Sequence, residues 1–204
     1  QVVKQYSADI ARITILNGGE EMDDPNWDSS FAESMIGKLK NLKEFCKTHY
    51  NNASYRTDER QIDKWLVSEV YSTIKSAEAA MEKTLFRTAI QYVYFDMQRI
   101  IKHYMNRTNR ELQQGAVDFF IDAQLRMLAP FTPHICEEIW SILGHESLLA
   151  RASWPEADES KIDQRLSVGE AYISQVISDV RTVKDLAKLD SVSAIKIFIA
   201  EPWK

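Results

Sequence analysis

Leu128-Ala129-Pro130-Phe131-Thr132-Pro133-His134-Ile135-Cys136-Glu137-Glu138-Ile139-Trp140 reads as one helix ending, a two-proline corner and a second helix beginning. A residue before proline is pushed away from the α region, so Ala129 is expected to close the first helix. Thr132 is placed to cap the second helix through its hydroxyl, and Pro133 suits the first helical position, where no backbone donor is needed. Gly144 follows as the left-handed residue at that helix's end. His134, near the helix start, is expected to bond to a carbonyl of the preceding helix, with Trp140 packed beneath it.

The helices on either side of this corner are legible from their periodicity. Ser7 is set to cap a short helix, Ala8 to about Asn17, which Gly18-Gly19 terminates. A Ser30…Glu33 capping box opens a second helix with Phe31, Met35, Leu39, Leu42, Phe45 and Cys46 on one face. A third starts near Thr57-Asp58 and aligns Ile62, Trp65, Leu66, Val70, Ile74, Ala77 and Met81. After a turn at Glu82-Lys83-Thr84, a fourth carries Phe86, Ala89, Ile90, Val93, Met97, Ile100, Ile101 and Tyr104. Asn109 is the expected cap of a fifth, with Leu112, Ala116, Phe119, Phe120, Ala123, Met127 and Leu128 inward. Long amphipathic helices with short joints predict an antiparallel bundle whose aromatic and methionine stripes are core. Asp9 and Arg12 on the first helix serve either as a helix-dipole partner and local i,i+3 pair or as a coupling between domains.

Beyond Gly144 the pattern changes. An acidic, polar stretch from Ser153-Trp154-Pro155 to Arg165 reads as a linker. Ser167 is expected to cap a further helix with Ile173, Val176, Ile177, Val180, Val183 and Leu186 inward. Ile195, Ile197 and Ile199 then alternate with Ala194, Lys196 and Phe198, a strand pattern. The expected fold is mostly α: an antiparallel helical bundle followed by the first helix and strand of a small α/β domain. The expected segments are 1–25, a connector helix; 26–150, the bundle; 151–166, the linker; and 167–204, the start of the next domain.

At 204 residues and 45% hydrophobic content, the chain can bury a main core plus a small second one. No window reaches the roughly 18 consecutive apolar residues of a membrane span, and no signal segment precedes the first charged residue. No membrane contact is therefore expected; a monomer is expected because the helices can bury their stripes within one bundle, and a cytoplasmic setting because the two cysteines read as reduced. Cys46 and Cys136, each on an apolar helical face, read as reduced core thiols. A net charge of −5 disfavours indiscriminate coating of nucleic acid, so any such contact must use local basic stripes. There is no initiator Met, and Gln1 opens in mid-pattern, which suggests a piece of a longer protein.

The corner motif resembles the L-x-P-F-x-P-H-x-x-E-E-x-W segment of the class I aminoacyl-tRNA synthetases that charge leucine, valine, isoleucine and methionine. Pro130, Pro133, His134, Glu138 and Trp140 carry the match. In that family the segment lies in the helical anticodon-binding domain, C-terminal to the catalytic site. Tyr6-Ser7-Ala8-Asp9-Ile10-Ala11-Arg12 resembles the Y-G-A-D-x-x-R segment that follows the Lys-Met-Ser-Lys-Ser loop, with Ser7 in place of Gly. Met22-Asp23-Asp24-Pro25-Asn26-Trp27 resembles the turn that introduces the bundle, and Ser153-Trp154-Pro155 the segment that closes it. The close, Ile197 to Trp203, is similar to the entry into the C-terminal domain of archaeal and eukaryotic leucyl-tRNA synthetases, and narrows the resemblance to them. Rival readings are the equivalent bundle of a valyl-, isoleucyl- or methionyl-tRNA synthetase, or a helical protein-interaction module without an RNA role.

The resemblance implies an enzyme that joins leucine to its tRNA at the expense of ATP, with this chain holding the tRNA. Its partners would then be tRNA and the enzyme's own catalytic and C-terminal domains. Neither ATP-binding signature of the family occurs between Gln1 and Lys204, so no catalytic residue is assigned and the chain alone is expected to be inactive. ATP and Mg would belong to the catalytic domain, and no cofactor is expected here. Metal is not expected either: His134 shares a helix face with Glu137 and Glu138, but a zinc site needs at least a third ligand, and His145 lies past the helix end. Two basic stripes are the candidate tRNA contacts. On the fourth helix Arg99, Lys102, His103, Arg107 and Arg110 lie roughly opposite the apolar face; on the second, Lys40, Lys43 and Lys47 align. Each is either a solvated face or a grip on RNA phosphates, which positions without reading sequence. Leucine has six codons and the family mostly ignores the anticodon bases, so backbone gripping fits better than base readout.

Overall fold

The computed structural model describes residues 5–24 and 26–188, together with 191, 194–196 and 198. Its helices are α1 (Ala8–Asn17), α2 (Ser29–His49), α3 (Gln61–Glu82), α4, α5 (Gln114–Leu128), α6 (Pro133–Ile142) and α7 (Gln164–Leu186). Helix α4 runs without a break through Phe86–Ile90, a π-helical segment Gln91–Asp96 and Met97–Arg107. Short 3₁₀ turns lie at Leu149–Arg151 and Glu159–Lys161. Among the described residues there is no strand. Ile197 and Ile199, on which the strand pattern rests, lie outside them.

The bundle follows the expected stripes. Helix α3 packs against α4 and α5, while α2 packs against α1, α5 and α6. Met35, Leu39, Leu42, Leu66, Val70, Ile74, Met97, Tyr104, Phe120 and Phe131 form one core. Cys46 and Cys136 are free and buried in it, and burial pushes both thiols up to about 12. Within the π-helical segment, the buried Gln124 side chain donates to the Val93 carbonyl at 3.3 Å, an extra tie between α5 and α4.

Helix ends are where the structure departs from the sequence reading. Asp28, not a Ser30…Glu33 box, caps α2, accepting from the Phe31 amide at 3.0 Å. Helix α3 begins at Gln61, with Asp63 reaching back to the Arg60 amide at 2.6 Å. The start thus falls a few residues after the Thr57-Asp58 expected from the sequence, and the carboxylate inside the first turn serves as the cap. Helix α5 is capped by Gln113, whose Oε1 accepts from Ala116, while Asn109 sits in a left-handed turn at φ 49°. Ala129 keeps α-helical angles (φ −52°, ψ −39°) despite the following proline. The helix stops because Pro130 has no amide to continue the ladder.

Ser7 caps α1 as expected, but with φ 81° and ψ 162°, a region nearly reserved for glycine. Its hydroxyl accepts from Ile10 at only 3.5 Å. Ser7→Gly is therefore expected to stabilise the fold by about 1 kcal/mol: relieving the strain outweighs the few tenths lost with the cap. The urea midpoint measures this, and a lower midpoint for the glycine variant would contradict it.

The chain divides into a first unit up to Leu166 and a second from Ser167. The acidic stretch expected as a linker is bonded into the first unit: Lys75 pairs with Glu159 at 2.8 Å, and the Asp163 amide donates to Ser68 Oγ at 2.8 Å. In α7, Ser167 lies inside the helix rather than at its cap. None of α7 is buried; Ile173, Val176 and Val180 are half-buried, while Ile177, Val183 and Leu186 are exposed.

Candidate nucleic-acid interface

At the corner, Thr132 turns its hydroxyl inward to Cys136 Sγ at 3.4 Å and caps nothing. The two α6 amides that an N-cap would serve are taken by Asp9 of α1, which accepts from His134 N at 3.3 Å and Ile135 N at 2.8 Å. The same carboxylate meets the His134 ring at Nδ1, 2.7 Å away. So His134 bonds to Asp9 rather than to a carbonyl of the preceding helix. Arg12 donates to the Pro130 carbonyl at 3.4 Å. Asp9 and Arg12 thus bind α1 to the corner within one compact unit, a contact that is neither the local i,i+3 pair nor a coupling between domains.

Trp140 is buried, but it does not lie beneath His134. Its ring stacks on His145 at 3.6 Å and 9°, and Nε1 donates to the Ser147 carbonyl at 2.9 Å. Gly144 takes φ +90°, and its amide and that of His145 bond back to Ser141 and Trp140, a Schellman ending that turns His145 onto the indole. Glu137, assigned no role beforehand, accepts from Leu149 N at 2.9 Å and Ala150 N at 2.7 Å, fixing the next turn. Glu138 pairs with Lys43 of α2 at 2.6 Å. Among the described residues no three His, Cys, Asp or Glu side chains gather where a metal ion could be held.

That pairing divides the α2 stripe. Lys43 spans α2 and α6, whereas Lys40 is exposed and Lys47 is exposed beside Glu44 at 3.5 Å. On α4 the cations sit opposite the buried Met97, Ile100, Ile101 and Tyr104, as periodicity indicates. Arg99 is exposed with Asp96 at 3.3 Å, and Lys102 is exposed. His103 is half-buried, edge-on to Trp65 at 4.7 Å, and Arg107 is half-buried. Arg110 lies past the helix end at φ 65°, lining a cavity of about 370 Å³ with Arg56, Arg60 and Glu111. The two stripes border different neighbours, α1 and α6 for the α2 lysines and α3 for His103.

A buried network behind that cavity went unseen in the sequence. Asp63 is 1% exposed and accepts from Arg56 at 2.5 and 2.8 Å, from Tyr104 Oη at 2.5 Å and from the Arg60 amide. Burial pushes its carboxyl up, but Arg56, Tyr104 and the Arg60 amide outweigh burial and hold it below the ordinary carboxylate value. Tyr104 Oη in turn accepts from Gln113 N at 3.0 Å, and Arg56 Nε donates to the Glu111 carbonyl at 2.9 Å. The network joins α3, α4 and the α4–α5 turn. Its one signal in the sequence is a tyrosine on an otherwise apolar stripe, whose hydroxyl needs a partner when buried.

A family profile described as the anticodon-binding domain of tRNA ligase matches residues 63–199. The chain belongs to this family. As an anticodon-binding domain, it is similar along its length to curated Leucine–tRNA ligases. That of Aeropyrum pernix is 32% identical over 206 residues, covering 100% of this chain and 21% of that protein. That of Methanococcoides burtonii is 32% identical over 207 residues, covering 99% and 21%, and that of Archaeoglobus fulgidus is 30% identical over 204 residues, covering 100% and 21%. The chain thus spans about a fifth of the length of these relatives. Among solved structures, a chain of the LeuRS–tRNA–LeuAMS ternary complex of Agrobacterium radiobacter K84 shares the helical fold. It has a TM-score of 0.67 at 22% identity, over 79% of this chain and 21% of that one.

Proposed function

We propose that this anticodon-binding domain holds tRNA for an enzyme that joins leucine to tRNA, and that it does so by phosphate contacts along α4. The observation that carries the reading is the similarity to Leucine–tRNA ligases from end to end of the chain. The solved neighbour of like fold is a complex that contains tRNA. The exposed cations Arg99 and Lys102, with the half-buried Arg107 and His103, are the contact face on α4; Lys40 and Lys47 are a second, weaker one. The face favours contact with the sugar–phosphate backbone over base readout, because cations predominate on it and Asn106 is the exposed amide among them. Catalysis, with its ATP and Mg, belongs to other parts of the enzyme, and this domain needs no cofactor of its own. The enzyme works as a cytoplasmic monomer; no helix among the described residues is long and apolar enough to cross a membrane.

Replacing Arg99 and Lys102 together by Gln in the full-length enzyme should weaken tRNA binding for leucine and non-leucine tRNAs alike. It should flatten the slope of log affinity against log salt by up to about 2, since each duplex phosphate neutralised adds roughly 0.9. Unchanged affinity and slope would return these residues to a solvated helix face.

A further inference from the structure

Resting on that reading, we infer that the cavity at the end of α4 is a second and separate seat for a tRNA phosphodiester, gated by Glu111. Two loops build it: the one leading into α3 brings Tyr55, Arg56 and Arg60, and the turn between α4 and α5 brings Arg110 and Glu111. The loops are locked together. Arg56 N donates to the Leu112 carbonyl at 3.2 Å, and Gln114 N donates to the Arg56 carbonyl at 3.1 Å. Beneath the seat, Asp63 consumes the Arg56 guanidinium, so Arg56 serves as floor rather than ligand.

The two remaining guanidiniums differ in how they are held. Arg60 is about half exposed and meets Glu111 at 3.0 Å and Asp58 at 3.4 Å, with both carboxylates well exposed. Arg110 is exposed, and its backbone is left-handed directly after a left-handed Asn109. Its amide bonds back to the Met105 carbonyl at 3.0 Å, so this strained turn is tied to α4. A phosphodiester entering the seat meets Arg110 directly and takes over the Arg60 guanidinium from Glu111, whose carboxylate is free to swing into solvent. Planar guanidiniums suit such an exchange, because carboxylate and phosphate oxygens present the same bidentate edge. The α4 cations lead along the helix to this end, so one RNA backbone can run from Arg99 past Lys102 to the seat.

The gate predicts opposite signs for adjacent residues. In the full-length enzyme, Arg110→Gln should weaken tRNA binding about fivefold near 0.15 M salt and flatten the salt slope by about 0.9. Glu111→Gln should tighten binding by a similar factor, because it removes both the competing carboxylate and its repulsion of phosphate. Thermal melts of both variants check folding, and Glu111→Gln alone still decides the matter if Arg110→Gln fails to fold. Three results would overturn the inference. One is Glu111→Gln leaving binding unchanged or weakening it. Another is Arg110→Gln leaving it unchanged while the Arg99/Lys102 pair weakens it, which would spare the α4 reading. The third is an acidic polypeptide that binds the wild type and is lost with Arg110→Gln while tRNA binding is kept, which would make the seat a protein-docking site. Loss of tRNA binding in no variant at all, including the Arg99/Lys102 pair, would overturn the underlying reading as well.

Discussion

Asp63→Ala should cost about 3–5 kcal/mol of stability at neutral pH, read as a drop in the urea midpoint. That is the usual penalty for removing one partner of a buried ion pair. The loss is large because the carboxylate has several dependants. Arg56, 11% exposed at its side chain, is left with only the well-exposed Asp58 at 3.8 Å, and the Tyr104 hydroxyl and Arg60 amide lose their acceptor. Tyr104→Phe keeps the ion pair but removes two hydrogen bonds, the one donated to Asp63 and the one accepted from the Gln113 amide, so it should cost about 2–4 kcal/mol. The network also fixes a direction for acid sensitivity. Asp63 has a folded-state pKa below its ordinary value of 3.8, so its contribution is fully present above that value and fades as pH falls through the lower one. The wild type should lose stability in that acid range more steeply than Asp63→Ala. A variant that unfolds in urea like the wild type, with the same acid limb, would mean the network carries no stability.

The bundle was legible because its signals are periodic and local. Each apolar stripe needs only its own helix to be recognised, and Pro130 and Pro133 act on the backbone whatever surrounds them. Caps were legible only where the partner is a neighbour in sequence, as with Ser7 and Ile10. At the corner the cap of α6 comes from Asp9, 125 residues away, and frees Thr132 to turn inward. No local pattern announces that. The lysine row on α2 met the same limit: Lys40, Lys43 and Lys47 look equivalent along the helix, yet Glu138 arrives from α6 to take only Lys43. On α4, spacing placed the cations on the outer face correctly. It could not tell that the chain turns left-handed after Arg107, which takes Arg110 off the stripe and into a cavity with Arg60. Helix α7 shows the converse case: its apolar stripe was read as an inward face, yet none of the helix is buried and Ile177, Val183 and Leu186 are exposed.

Trp140→Ala should destabilise the first unit by about 3–5 kcal/mol, the range for truncating a buried aromatic to alanine. The ring is 6% exposed, so the substitution opens a cavity in α6 rather than trimming a surface. More depends on it than area. His145 lies flat on the indole at 3.6 Å, and its Nε2 reaches the Tyr50 hydroxyl at 3.2 Å, at the end of α2. The indole N–H also holds the Ser147 carbonyl, and with it the turn that brings Leu149 and Ala150 to Glu137. Removing the ring therefore loosens the α6 ending, the α2 ending and the segment that follows. Trp140→Phe separates packing from hydrogen bonding: it keeps most of the stacking surface and gives up the N–H, so about 1–2 kcal/mol should be lost. In a domain of this size each kcal/mol shifts the melting temperature by roughly 2–4 °C, so the alanine variant should melt at least about 6 °C lower. A loss under about 1 kcal/mol for Trp140→Ala would place the ring outside the core, and the geometry of the corner would then rest on Asp9 and the prolines alone.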